Sequence, residues 1–115
     1  MPEELERRSF EPADGLWAWL EENHATHPGL WVVLQKSGSS VPSITFHELL
    51  EAGIAFGWSE STRRANDETS YLRKFTPRRT KGTASARNSA IADRLQVEGR
   101  LTPAGRAALG RQPHP

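Results

Sequence analysis

Seven of the chain's fifteen lysines and arginines fall in one stretch, FGWSESTRRANDETSYLRKFTPRRTKG, residues 56–82. They are Arg63, Arg64, Arg73, Lys74, Arg78, Arg79 and Lys81. Arginine offers a planar fork that grips phosphate or carboxylate through two parallel hydrogen bonds. In an extended strand Tyr71, Arg73 and Phe75 share one face, and Leu72, Lys74 and Thr76 share the other. An arginine flanked by two aromatic rings on a sheet is compatible with stacking on bases or on an aromatic ligand. The competing reading has Tyr71 and Phe75 packed on a helix, with Arg73 paired to Glu60 or Asp67 across a hairpin. Arg78 and Arg79 follow Pro77 in a loop, and Ser85 and Asn88 stand near the next helix start, where amide donors favour an anion. Capping and surface ion pairs are the alternative use of those four residues.

Several catalytic patterns come close and fail. Gly57-Trp58-Ser59-Glu60-Ser61 lacks the last glycine of a nucleophile elbow, and Ser59 falls inside a strand-like run instead of a strand-to-helix turn. His47-Glu48-Leu49-Leu50-Glu51 has glutamate where a zinc helix needs its second histidine. His24 and His27 lie in a loop with no cysteine nearby in sequence. No glycine-rich phosphate loop occurs. The expectation is no catalytic residue, no metal ligand and no cofactor.

At 115 residues the chain holds one domain with a real core and no cysteine to staple it. No apolar run reaches the ~20 residues of a membrane span, and MPEELERRSF has no apolar signal region, so a cytoplasmic location is expected. The net charge is +1, unevenly placed. Residues 1–55 hold nine acids and three bases, while residues 56–115 hold five acids and twelve bases. Such asymmetry points to an anionic partner for the second half, or to halves that neutralise each other across the fold.

The elements that must position these residues are legible in turn. Residues 1–9 read as a disordered lead-in and 111–115 as a disordered tail, around a domain spanning 10–110. After Pro12, residues Ala13, Leu16, Trp17 and Leu20 recur at helical spacing, with Trp19 at the edge of the buried face. Leu30-Trp31-Val32-Val33-Leu34 reads as a strand covered on both faces. Thr45 and Glu48 form a capping box, with Ile44 and Leu49 as its staple. Trp58–Arg64 and Ser70–Thr76 read as a hairpin around Asn66-Asp67, closed by Pro77. A third helix should span about 84–98, ended by Gly99. Thr102-Pro103 opens a short last helix. Trp17, Trp31 and Trp58 belong to the core. The fold expected is a small α+β domain, with a three-stranded, mainly antiparallel sheet and about four helices.

Five segments in register, PSITFHE (42–48), FGW (56–58), YLRKFTPRR (71–79), SARN (85–88) and EGRLTPAG (98–105), resemble the YdeI/OmpD-associated family, also called bacteriocin-protection proteins. The resemblance covers roughly residues 10–110. It implies the genetic and association phenotypes that the family name records, and it brings no catalytic activity or cofactor. Residue by residue, FTPRR matches Phe75 to Arg79, S-x-x-N matches Ser85 and Asn88, and PAG matches Pro103 to Gly105. Two positions depart from the pattern. Trp58-Ser59-Glu60-Ser61 stands for W-I-D-G, and Ala84 stands where many members place tryptophan.

The reading that follows is a non-catalytic binding protein that meets an anionic ligand or partner through Arg73, Arg78, Arg79, Ser85, Asn88, Tyr71, Trp58 and Glu60. Nucleic acid is compatible with that site. A protein–protein module in envelope or antimicrobial-peptide stress, with an apolar patch near Trp19, is the first alternative. An enzyme on a small anionic metabolite, using Glu60 as acid or base, is the second.

Overall fold

Local signals decide where the helices begin. In a computed structural model, which describes residues 5–78 and 85–111, the Thr45 hydroxyl accepts from the Glu48 amide at 3.1 Å and the Glu48 carboxylate accepts from the Thr45 amide at 2.8 Å. That reciprocal cap opens α2 (Phe46–Phe56), and Gly57, at φ +77°, closes it in the left-handed conformation that suits glycine. The Ser85 hydroxyl caps α3 (Ala86–Val97) by accepting from the Asn88 amide. Thr102 caps α4 (Pro103–Ala108), whose first position is the proline expected there. The first helix, α1, spans Ala13–Asn23.

Four strands complete the order: β1 (Arg7–Arg8), β2 (Leu30–Gln35), β3 (Trp58–Ala65) and β4 (Ser70–Pro77). They form one mixed sheet in the order β1-β2-β4-β3. β4 runs antiparallel to both neighbours, and β1 adds in parallel to β2. The domain is therefore α+β with four helices, but its sheet has one strand more than expected. β1 is two arginines with no apolar alternation, and its order comes from the free edge of β2, where the Trp31 amide donates to the Glu6 carbonyl at 2.8 Å. Arg7 and Arg8 are thus part of the sheet and not of a lead-in. At the other end Arg111 is also held, by Asp93 at 2.8 Å and Gln96 at 3.0 Å.

All four helices lie on one side of the sheet. Leu16, Leu20, Leu49, Ile54, Phe56, Ile91, Leu95 and Leu109 share one buried cluster with Leu30, Val32, Leu34, Trp58 and Phe75 of the strands. Phe75 is fully buried, its ring 5.1 Å from that of Trp58. Trp17 and Trp19 are half-buried rims of this cluster. The opposite face, carrying Trp31, Val33 and Leu72, lies outside the cluster, so β2 is covered by helices on one face and not on two.

Two glycines permit the helix packing. A Cβ on Gly105 would stand 2.4 Å from the Ala55 carbonyl oxygen and 2.6 Å from that of Ile54. α4 therefore touches α2 backbone to backbone, a contact that the Thr102 hydroxyl reinforces by donating to the Ala55 carbonyl at 2.6 Å. Gly53 gives the same clearance to the Phe75 ring, which would be 2.9 Å from an added Cβ. Gly105→Ala is expected to destabilise the domain by about 1–3 kcal/mol through overpacking against unyielding backbone. Urea unfolding should show it as a lowered midpoint with an unchanged slope, while Ala107→Ser at the exposed position two residues on leaves the midpoint in place.

Candidate functional site

The strand register sorts the hairpin's cations onto two faces. On the helix side Arg73 stands in register with Val32, and its guanidinium donates to the Glu60 carboxylate at 2.8 Å. The same guanidinium lies 4.9 Å from the centroid of Phe46, the first residue of α2. The structure thus joins Arg73 and Glu60 as a largely buried ion pair, with side chains 20% and 16% exposed. Arg73 Nε is buried and has no hydrogen-bond partner, so losing Glu60 would leave this cation still less compensated.

Trp58, Glu60, Arg78 and Asn88 do line one notch, together with Leu49, Leu50, Gly53, Ile54 and Ser59. Its free volume is only about 10 Å³, room for about one water molecule. Trp58 is buried as expected, and its indole donates to the His24 carbonyl at 3.1 Å. Ser85 and Asn88 meet through the helix cap, and the Asn88 side chain accepts from Arg87 Nε at 3.2 Å. Arg79 and Lys81 lie outside the described residues. Tyr71 takes a neighbour from the facing strand, with Arg63 4.1 Å from its ring centroid.

The other sheet face assembles residues that the sequence did not connect. Arg64, from the edge strand β3, reaches across β4 to Trp31 on β2, with its guanidinium 5.3 Å from the indole centroid. Arg7, from the opposite edge strand, stands beside Trp31 in register and donates to the Asn66 side-chain oxygen at 3.0 Å. Between them lie Val33 and Leu72 in register, and Lys74 opposite Trp31. Leu72 is fully buried and Trp31 only 8% exposed on a face that none of the described helices covers, and long arginine stems are able to lie over such apolar ground. Among the described residues, the strand positions of this face carry Arg7, Arg64 and Lys74 and no carboxylate. The signal that could have found it was the alternation of β2, Trp31-x-Val33 against Leu72-x-Lys74, once the order β2-β4-β3 is known.

The hairpin turn ties the two ends of this face together. Asn66, whose oxygen accepts from Arg7, donates through its amide to the Ser70 hydroxyl at 2.8 Å. That hydroxyl donates to the Asp67 carboxylate at 2.7 Å, which also accepts from the amides of Thr69 and Ser70 at 2.9 and 2.8 Å. Ser70 is the buried polar residue at the centre of this network. Its hydroxyl first, and the Thr69 amide next, hold Asp67 below the usual carboxylate value of 3.8. No group of histidines and acids suited to a metal ion occurs among the described residues.

Two outcomes follow from these contacts. A double-mutant cycle on Glu60→Ala and Arg73→Ala should give a coupling of about 1–2 kcal/mol in urea unfolding, and a coupling near zero would refute the pair. Because Asp67 titrates lower in the folded chain, its contribution is complete above 3.8 and disappears as pH falls through the depressed folded value. Ser70→Ala should raise the Asp67 titration midpoint, read from its carboxyl resonance by NMR, towards the ordinary value.

No curated protein and no solved structure matches this chain. A family model described as a domain of unknown function (DUF8412) matches residues 8–108, from the second arginine of β1 to the end of α4, and the chain belongs to that family.

Proposed function

We propose that this domain is a binding module that recognises an anionic partner through the cationic hairpin β3–β4 and the sheet face beside it. The observation that carries the reading is how the cations are held. Arg7 rests on a neutral amide, Lys36 on the carbonyls of Asp67 and Glu68, and Arg63 on the Tyr71 ring. Neutral acceptors and rings orient a cation without cancelling its charge. Arg73 differs from these three, since Glu60 already neutralises it. The anion-binding role therefore moves from Arg73 and the Glu60 notch to the exposed cations around them.

The resemblance to YdeI/OmpD-associated proteins, whose name records association and not catalysis, agrees with a binding role. The alternative of an apolar protein–protein patch at Trp19 has less support, because that indole packs edge-on against Trp58 at 5.6 Å and Phe10 at 6.2 Å. Among the described residues the exposed large hydrophobics are Val41 and Val97, far apart in sequence and each alone.

Binding to immobilised heparin, a generic polyanion, tests the proposal. Retention should fall steeply between 50 and 200 mM salt, by roughly tenfold or more for three neutralised charges. Arg63→Glu with Lys74→Glu should abolish it. Two reversals outside the hairpin, Arg100→Glu (its guanidinium over Trp17) with Arg106→Glu, change the net charge equally and should leave most of it. Equal loss in both variants would reduce the effect to net charge and refute a localised site.

A further inference from the structure

Resting on that reading, we infer that Asp67 is a positioning residue for the anion-binding surface, an acid that folds the hairpin turn on which Arg7 and Lys36 are held. The turn is where three strands bring their cations together. Arg7 of β1 donates to the Asn66 side-chain oxygen at 3.0 Å. Lys36, one residue past β2, donates through Nζ to the carbonyls of Asp67 and Glu68 at 3.3 and 3.4 Å. Its amide donates to the Thr69 carbonyl at 2.8 Å. Arg63 of β3 lies over Tyr71, just beyond the turn. All three cations are exposed.

One oxygen organises this turn. Asp67 Oδ1 accepts from the amides of Thr69 and Ser70, from the Ser70 hydroxyl and, at 3.3 Å, from the Thr69 hydroxyl. Its first effect is on the backbone. Donors drawn to a single atom curl residues 67–70, and the carbonyls of Asp67 and Glu68 then meet Lys36. Its second effect runs through side chains. The Ser70 hydroxyl spends its proton on Asp67 and so accepts from the Asn66 amide, which turns the Asn66 oxygen towards Arg7. Each bond in this relay donates from the arginine towards the carboxylate, through two neutral groups. Bonds aligned in this way polarise one another, so each helps to fix the next. Long cationic side chains held before binding lose less entropy when the anion arrives.

Affinity of the intact chain for labelled heparin at low salt tests this, because charge and positioning predict opposite signs. Glu68→Ala removes one negative charge from an exposed side chain beside the same cations. It should strengthen binding by up to about threefold, the size of one screened charge pair. Asp67→Ala removes the same charge together with the organising oxygen, and should weaken binding by about threefold or more. Asp67→Asn keeps an acceptor where Oδ1 stands and loses the charge, so it should bind at least as tightly as the unaltered chain. Ser70→Ala changes no charge and cuts the relay, and should weaken binding by about twofold or more. The salt dependence should be flatter in Asp67→Ala and unchanged in Asp67→Asn, since only the first disengages cations. Circular dichroism should show each variant folded, and if Asp67→Ala is not, Ser70→Ala against Asp67→Asn decides. Asp67→Ala binding as tightly as Glu68→Ala, or Ser70→Ala as tightly as the unaltered chain, would overturn the positioning role and leave the anion-binding reading standing. No binding of the unaltered chain to heparin would overturn both.

Discussion

One-sided burial is the constraint on which the rest of this domain depends. Among the described residues four helices gather on one face of a four-stranded sheet, and none lies on the other. An uncovered sheet still presents large apolar side chains to water, here Trp31, Val33 and Leu72. Removing such side chains from water is worth roughly 1.5–3 kcal/mol each, so something must lie over them. Arginine can do this because its stem is apolar and its head stays hydrated. From the two edge strands, Arg64 lies over the Trp31 ring and Arg7 reaches the hairpin turn at Asn66, so both bring their heads to this face. Charge on this face follows from packing.

The helix side solves a different problem with the same residue type. Arg73 enters a position flanked by Tyr71 and Phe75, where an apolar side chain would be ordinary. Burying a guanidinium there is tolerable because the Glu60 carboxylate accepts a hydrogen bond from it at 2.8 Å and Phe46 lies against it. That solution consumes the charge. The two sides of one hairpin thus carry arginines in different settings: Arg73 is neutralised within the packing by Glu60, and Arg64 lies over the Trp31 ring.

Much of this fold was legible because local rules and packing agree. The caps at Thr45 and Thr102 and the two hairpin strands are written in neighbouring residues, and each appears at the expected place within a residue or two. What was not legible depends on distant partners. β1 has no pattern of its own, and only the free edge of β2 orders it. Trp31 was readable as buried, but the identity of its cover was not, since Arg64 lies 33 residues further along the chain. The pairing of Arg73 with Glu60 was one of two open readings, and strand register alone decides it.

A single irregularity explains why the arginines could not be sorted by alternation. Between Glu60 and Arg63 strand β3 advances three residues, while its partner β4 covers two, from Phe75 to Arg73. The extra residue is a bulge, and each side chain beyond it changes face. In a regular strand Arg64 would share the helix side with Trp58 and Glu60, and Arg63 would point to the open side. With the bulge, Arg63 falls beside Tyr71 and Arg64 is free to reach Trp31. Both stacks therefore depend on one inserted position in the run Ser61-Thr62. That pair has no glycine or proline to announce a break, so the sequence reads as unbroken alternation while the sheet shifts underneath it. The face on which each guanidinium ends, and hence where the domain is positive, is set by that one unpaired residue.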